Sequence, residues 1–257
     1  MKILAVGDIV GKTGVQMLKY KLPKIMKDYD IDFVIVNGEN AADGMGLTEK
    51  LYKEILSVGT DVVTMGNHTW AKKDIFSFID DGKIIRPANY PANNPGKGYR
   101  IFECKNKKIA VINLIGRVTM SVLSENPFLE AKKIIEEIKK DVDIIVIDFH
   151  AEATAEKIAL AYYLEGEATI IFGTHTHVQT ADEQILENGT AYITDLGMTG
   201  PKISVIGMDT KASIKRFETS LPEKYRIAEG EGILNACVFE VDEYTNEAVG
   251  IQRIYIK

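Results

Sequence analysis

Short β-branched, apolar runs alternate with longer amphipathic stretches along most of the chain, and this rhythm restricts the fold more tightly than any other feature. Lys2 to Gly7, Ile31 to Asn37 and Asp61 to Met65 read as strands, with helices expected over Thr13 to Asp28 and Thr48 to Val58. The alternation resumes with strands at Lys108 to Ile115, Asp143 to Phe149 and Ala168 to Phe172, separated by helical Pro127 to Lys140 and Thr154 to Glu165. That is the pattern of βαβ units, in two halves without a residue-level internal repeat. Toward the carboxyl end it changes. Asn188-Gly189 lies between strand-like runs within Glu183 to Thr194, and Gly232 to Ile256 pairs two longer runs around Glu243 to Asn246, so both segments are expected as antiparallel hairpins. The expected class is α/β in the mixed sense, with mixed sheets and helices packed outside. At 257 residues the chain can bury one large core and has no Gly/Ser-, Pro- or Gln-rich linker tract, so residues 1–257 are expected to form a single domain.

Five of the apolar strands run straight into polar, metal-capable residues: Gly7-Asp8, Asn37-Gly38-Glu39-Asn40, Gly66-Asn67-His68, Asp148-Phe149-His150 and Gly173-Thr174-His175-Thr176-His177. Side chains just past the carboxyl ends of neighbouring strands in α/β sheets converge on one crevice, so motifs dispersed in sequence become one site in space. Glycine is expected there to let the chain turn sharply. All four histidines of the chain sit in these motifs. One histidine alone is more often a satisfied core or surface residue; four so placed are not a coincidence of composition.

Imidazoles, carboxylates and carboxamides form a mixed nitrogen and oxygen donor set, suited to manganese, iron, zinc or cobalt rather than to calcium or a thiolate-bound ion. The set is too large for one tetrahedral ion. It fits two metals about 3.5 to 4 Å apart with one carboxylate, Glu39 or Asp8, between them. His175 and His177, at alternate positions after a strand, are expected to point the same way while the chain stays extended, as a chelating pair.

Blander readings exist for the single motifs. Asp8 would serve equally as a cap for the following helix, and Asn37 to Asn40 as a hydrogen-bonded turn. Gly7 to Thr13 resembles a phosphate loop, GxxxxGK[ST], but is one residue short, has Val6 where the first glycine belongs and carries the negative Asp8 inside the cradle. A nucleoside triphosphatase would also leave all four histidines unexplained.

Composition narrows the partners. With 31 Lys and Arg against 37 Asp and Glu the net charge is -6, which argues against a nucleic-acid-binding surface built on clustered cations. Small anionic substrates remain open if metal supplies the positive charge. No apolar stretch reaches membrane-spanning length and the amino terminus begins a strand rather than a leader, so a cytoplasmic protein is expected. Cys104 and Cys237 lack CxxC spacing and are expected as reduced, buried core residues.

In order and type, Gly7-Asp8, Gly38-Glu39-Asn40, Gly66-Asn67-His68, His150 and Gly173 to His177 resemble the motif blocks of the calcineurin-like metallophosphoesterases. Val10 stands where that superfamily's GDxH motif has histidine, and Glu39 where its second motif has aspartate. Both departures resemble the YmdB-type branch, as do Gly116-Arg117 and Asp195 to Pro201. The resemblance implies a four-layer αββα sandwich with two mixed sheets and a binuclear iron or manganese site. It also implies phosphodiesterase activity on cyclic nucleotides, the 2',3'-cyclic kind among them and 3',5'-cyclic ones as a further candidate class. By the same analogy Asp8, Asn40 and His177 would hold one metal, Asn67, His150 and His175 the other, and Glu39 would bridge them. The absence of histidine at Val10 would leave Asn40, a neutral ligand, in its place.

Two divalent cations, two carboxylates and a bridging hydroxide sum to about one positive charge, matched to a phosphodiester monoanion. The expected reaction is attack of that hydroxide on phosphorus in line with the departing oxygen. His68, next to Asn67, would protonate the leaving alkoxide as general acid, or else orient a neighbouring ligand. Arg117 would clamp a phosphate oxygen, or form a surface salt bridge. From another class, the same residues would make a metal- or nucleotide-sensing module that does not turn over. The oligomeric state is left open, a homo-oligomer included.

Overall fold

The computed structural model describes every residue from Met1 to Lys257. The elements of its first half are β1 (Lys2–Val6), β2 (Asp8–Ile9), α1 (Gly11–Tyr29), β3 (Phe33–Asn37), α2 (Glu49–Ser57), β4 (Val62–Thr64), β5 (Ile84–Ile85), β6 (Tyr99–Cys104) and β7 (Lys107–Ile115). The second half runs α3 (Pro127–Ile138), β8 (Ile144–His150), α4 (Thr154–Tyr163), β9 (Ile170–Thr174), β10 (Gln184–Ile185), β11 (Ala191–Ile193), β12 (Met198–Pro201), α5 (Thr210–Thr219), β13 (Gly232–Val241) and β14 (Ala248–Ile256). Each strand and helix expected from the rhythm is present, its ends shifted by a residue or two, and both carboxyl-terminal hairpins are antiparallel.

Period-2 alternation decides the layering, because successive strand residues point to opposite faces. On β1, Leu4 and Val6 face one way and Ile3 and Ala5 the other; on β3, Val34 and Val36 oppose Phe33 and Ile35. The first set packs under α1, whose Val15, Leu18, Leu22 and Ile25 form one buried stripe at helical spacing, and under α2. The second set meets Ile109, Val111, Ile144 and Val146 of β7 and β8 in a core between two sheets. The alternate residues of those strands, Ala110, Ile112, Ile145 and Ile147, pack beneath α3 and α4. Three cores separate four layers, helix, sheet, sheet, helix. Losing Leu18 to alanine from the outer core would cost about 2–5 kcal/mol.

One sheet has the order β2-β12-β13-β1-β3-β4-β5 with β14 beside β13, and the other β10-β11-β9-β8-β7-β6. Both are mixed: β1, β3, β4 and β5 run parallel while β13 is antiparallel to β1, and β7, β8, β9 and β11 run parallel between antiparallel β6 and β10. No helix is long and apolar enough to cross a membrane. Cys237 is buried as expected, whereas Cys104 is only half-buried and no disulfide joins them.

Candidate metal centre

All five strand-end motifs reach one end of the sandwich, three from the first sheet and two from the second. Asp8 follows β1, Glu39 and Asn40 follow β3, Asn67 and His68 follow β4, His150 ends β8, and His175 and His177 follow β9. Across the seam, His150 Nε2 lies 3.1 Å from Glu39 Oε1, 2.9 Å from Asn67 Oδ1 and 3.1 Å from His175 Nδ1. On the other side of Asp8, His177 Nε2 lies 3.7 Å from Asp8 Oδ1 and 3.2 Å from the Asn40 amide nitrogen. His68 Nδ1 stands 2.8 Å from Asn40 Oδ1 and 3.2 Å from Glu39 Oε1.

The donor set fits a cation, and the hydrogen bonds say why. Thr174 Oγ1 donates its one proton to Asp148 Oδ1 at 2.7 Å, so toward His150 Nδ1, 2.9 Å away, it accepts. In its neutral, metal-binding form His150 therefore carries its proton on Nδ1 and turns the Nε2 lone pair into the site. Without a metal, burial works to lower its pKa, but Glu39 and Asp8 outweigh burial, raise it and favour a second proton on Nε2, toward Glu39. Likewise His177 donates from Nδ1 to the Ile206 carbonyl at 2.9 Å and presents Nε2 to Asp8. Once Nε2 of each imidazole is deprotonated, these nitrogens and the facing carboxylate and amide oxygens converge as the donors a metal ion takes. One ligand atom each from Glu39, His150 and His175 falls within 4.8 Å of the others. Asn40 offers its NH2 group to Glu39 Oε1, at 3.1 Å; holding a metal requires turning that amide over.

Burial alone would raise both carboxylates, but facing imidazoles reverse it. His150 and His68 hold Glu39 well below the usual range, and His177 with His150 lowers Asp8. Burial and neighbouring His150 push His175 down to about 3, whereas Asp8 outweighs burial at His177 and lifts it to about 9. Ionised carboxylates and neutral His175 are ready ligands; His177, and His150, whose pKa Glu39 and Asp8 raise against burial, would bind metal in competition with a proton.

Two expectations about the backbone are corrected. At Gly7, Gly38, Gly66 and Gly173 the need is room rather than a sharp turn: a Cβ on Gly173 would lie 1.8 Å from the Thr194 carbonyl oxygen, and one on Gly66 would lie 2.4 Å from Glu39 Oε2 and His150 Nε2. Nor do His175 and His177 follow an extended chain. Both have positive φ, 95° and 64°, and the turn they make sends His175 to the Glu39–His150 side and His177 to the Asn40 side of Asp8. Such conformations cost on the order of 1–3 kcal/mol each and persist where the surroundings impose them. Here Asp8 Oδ2 accepts the His175 N–H at 3.2 Å, and Asp195 Oδ2 accepts both the N–H and the hydroxyl of Thr176, at 3.2 and 2.6 Å.

Asp195 is a residue that motif reading did not single out for the site, and Lys157, bonded to it at 2.7 Å, is another. The signal was present: Lys157 occupies the stripe of α4 otherwise buried by Leu160 and Ala161, a position where an unpaired lysine is untenable. Asp148 is likewise buried, accepting from Asn37, Thr64 and Thr174 behind His150. Glu152 Oε2 stands 3.0 Å from His175 Nε2, on the side away from His150.

The alternatives fare differently. Asp8 does not cap α1, whose N-cap is Val10 without a side-chain bond. Asn37 does form a turn, accepting the Glu39 N–H at 3.3 Å. The phosphate-loop look-alike is spoken for: the N–H groups of Gly7, Val10 and Gly11 bond the carbonyls of Asn235, Thr199 and Asn40, and Lys12 is exposed. Val10 is fully buried beside Met198 and Ile233. Arg117 lies on the loop joined to His150 by the Gly116 N–H, at 3.0 Å; its own N–H bonds Glu156, and its exposed guanidinium forms no salt bridge.

A sequence model of the family described as "YmdB-like protein" matches residues 4–254. A Bacillus subtilis (strain 168) protein named "2',3'-cyclic-nucleotide 2'-phosphodiesterase" is 52% identical over 257 residues, covering 100% of this chain and 97% of that one. A crystal structure described as a novel phosphatase of Mycoplasma pneumoniae superposes with a TM-score of 0.94 at 39% identity, over 100% of this chain and 93% of the other. A hypothetical protein from Thermus thermophilus does so with a TM-score of 0.93 at 37% identity, over 99% and 98%. The family match spans both sheets and every strand-end motif, so the chain belongs to the YmdB-like protein family and is a hydrolase of phosphoric esters.

Proposed function

We propose that this protein is a binuclear metal-dependent phosphodiesterase acting on cyclic nucleotides, nucleoside 2',3'-cyclic phosphates first among them. The observation that carries the reading is the convergence of imidazole, carboxylate and amide groups from both sheets around Glu39. Asp8, Asn40 and His177 would hold one metal and Asn67, His150 and His175 the other, with Glu39 between them. When bound, an iron or manganese pair would supply positive charge for the phosphoryl oxygens and acidity for the attacking water. The Bacillus subtilis relative's name supports the substrate class.

The chain's own residues do the rest. If Asn40 turns its oxygen to a metal, its NH2 group faces His68 Nδ1, which leaves the imidazole proton on Nε2. There it can serve as general acid to the leaving alkoxide. Arg117, with no protein counter-charge, is free to take a phosphate oxygen. Asp148 through Thr174, and Asp195 through Thr176, hold the imidazoles in place.

The test is a matched panel of phosphomonoesters, linear phosphodiesters, and 2',3'- and 3',5'-cyclic nucleotides, with added manganese. The 2',3'-cyclic diesters should show the highest kcat/KM. A strong preference for monoesters would contradict the proposal.

A further inference from the structure

Beside the metal centre lies a cavity of about 230 Å³ between α5, the residues 205–208 that precede it and residues 223–225 that return past it. Its walls include Ile206, Met208, Arg216, Phe217 and Tyr225. Two contacts tie it to the site. The Ile206 carbonyl is the acceptor for His177 Nδ1, at 2.9 Å. On the opposite wall, Tyr225 packs against the turn that follows Asn40, where a Cβ placed on Gly44 would lie 2.8 Å from the Tyr225 hydroxyl. The cavity thus adjoins both the His177 and the Asn40 strand-end loops.

Its chemistry is unlike the rest of the site. The donor cluster is made of charged and amide groups, whereas this wall sets two aromatic rings and the aliphatic side chains of Val205, Ile206 and Met208 beside a charged rim of Arg216, Glu223 and Lys224. Helix α5 buries only Ser213 well, and Phe217 is left 80% exposed and Ile206 50%. Exposed aromatic rings next to a phosphate-handling centre suit a flat, heteroaromatic ligand, because every nucleobase has a π-face to stack. Size sets the limit. Pockets for drug-sized ligands span roughly 300–1,000 Å³, so this one suits a single base and not a dinucleotide.

We propose that this cavity seats the nucleobase of the substrate, with Phe217 and Tyr225 as stacking faces and Arg216 at its edge. It rests on the cyclic-nucleotide reading above, and it assigns that reading a place where base and phosphate are held by different parts of the chain.

The experiment compares adenosine 2',3'-cyclic phosphate with 1-O-methylribose 2,3-cyclic phosphate, which keeps the cyclic diester and lacks the base. The metal-loaded wild type should favour the nucleoside through KM. In Phe217→Ala and Tyr225→Ala the ratio of kcat/KM, nucleoside over base-free diester, should fall roughly 10- to 100-fold, with kcat for the nucleoside changing far less than KM. Phe217 is so exposed that its loss does not threaten folding, which keeps one variant informative. An unchanged ratio in both variants, with the wild type active on cyclic diesters, overturns the pocket and leaves the function standing. A wild type that hydrolyses linear diesters but neither cyclic one overturns both. If Phe217→Ala instead dissociates an oligomer in sedimentation and leaves the ratio alone, the patch is an interface between copies and the base pocket is wrong.

Discussion

Lys157 Nζ and Asp195 Oδ2 are 2.7 Å apart with both side chains shielded from solvent, and the same carboxylate oxygen grips Thr176 between His175 and His177. Removing the lysine would leave a buried, uncompensated charge on the residue that holds a strained turn. Lys157→Met should therefore cost about 3–5 kcal/mol in urea unfolding of the metal-free protein. Metal affinity, measured against a competing chelator, should weaken roughly 10- to 100-fold. We propose that residues 1–257 unfold as one domain, so both proteins should show a single transition; two separated transitions, or an unchanged affinity, would contradict this account.

Asp148 offers a pH signature. Burial raises it from an ordinary 3.8 to about 6, against the opposing pull of His150 and its hydrogen-bond donors. Between those values the folded protein keeps a proton that the unfolded chain has released, so this group's contribution makes stability fall as pH rises through the window. Asp148→Asn has no such proton. The stability of the variant minus that of the metal-free wild type should climb by about 3 kcal/mol from about pH 4 to about pH 7, at about 1.4 kcal/mol per unit. A difference flat with pH would place the carboxylate's ionisation elsewhere.

His68 is tested through the leaving group. No protein group bonds its Nε2, while Nδ1 is held by Asn40 and Glu39. A ribose alkoxide is strongly basic, so His68→Ala should slow cyclic-nucleotide hydrolysis by roughly 10²- to 10⁴-fold. A nitrophenolate leaves without a proton, and a nitrophenyl phosphodiester should lose far less rate. Equal losses on both substrates, with metal content intact, would make His68 an orienting residue instead.

Much of this was legible because it rests on short-range rules. The strand rhythm marks β1, β3, β4, β8 and β9, and the residues after them are drawn together because parallel strands aim their carboxyl ends at one side. What escaped depends on tertiary context. Strand β6 joins β7 through Lys105-Asn106, both at positive φ, a tight turn without the usual glycine. Helix α5 has no core-facing stripe to betray it. Lys157 stands out in sequence only as a lysine in the apolar stripe of α4, and its partner Asp195 becomes evident only when α4 folds beneath β9. The left-handed His175 and His177 follow from carboxylates that lie far away in sequence, at Asp8 and Asp195.

Turnover of adenosine 2',3'-cyclic phosphate, followed while chelator-stripped protein is titrated with manganese, tests the binuclear phosphodiesterase directly. The account predicts a rate that climbs until two equivalents of metal per chain are bound and then levels, and no such activity in Glu39→Ala at the same metal concentrations. Full activity at one equivalent, or no turnover with both sites filled, would contradict it.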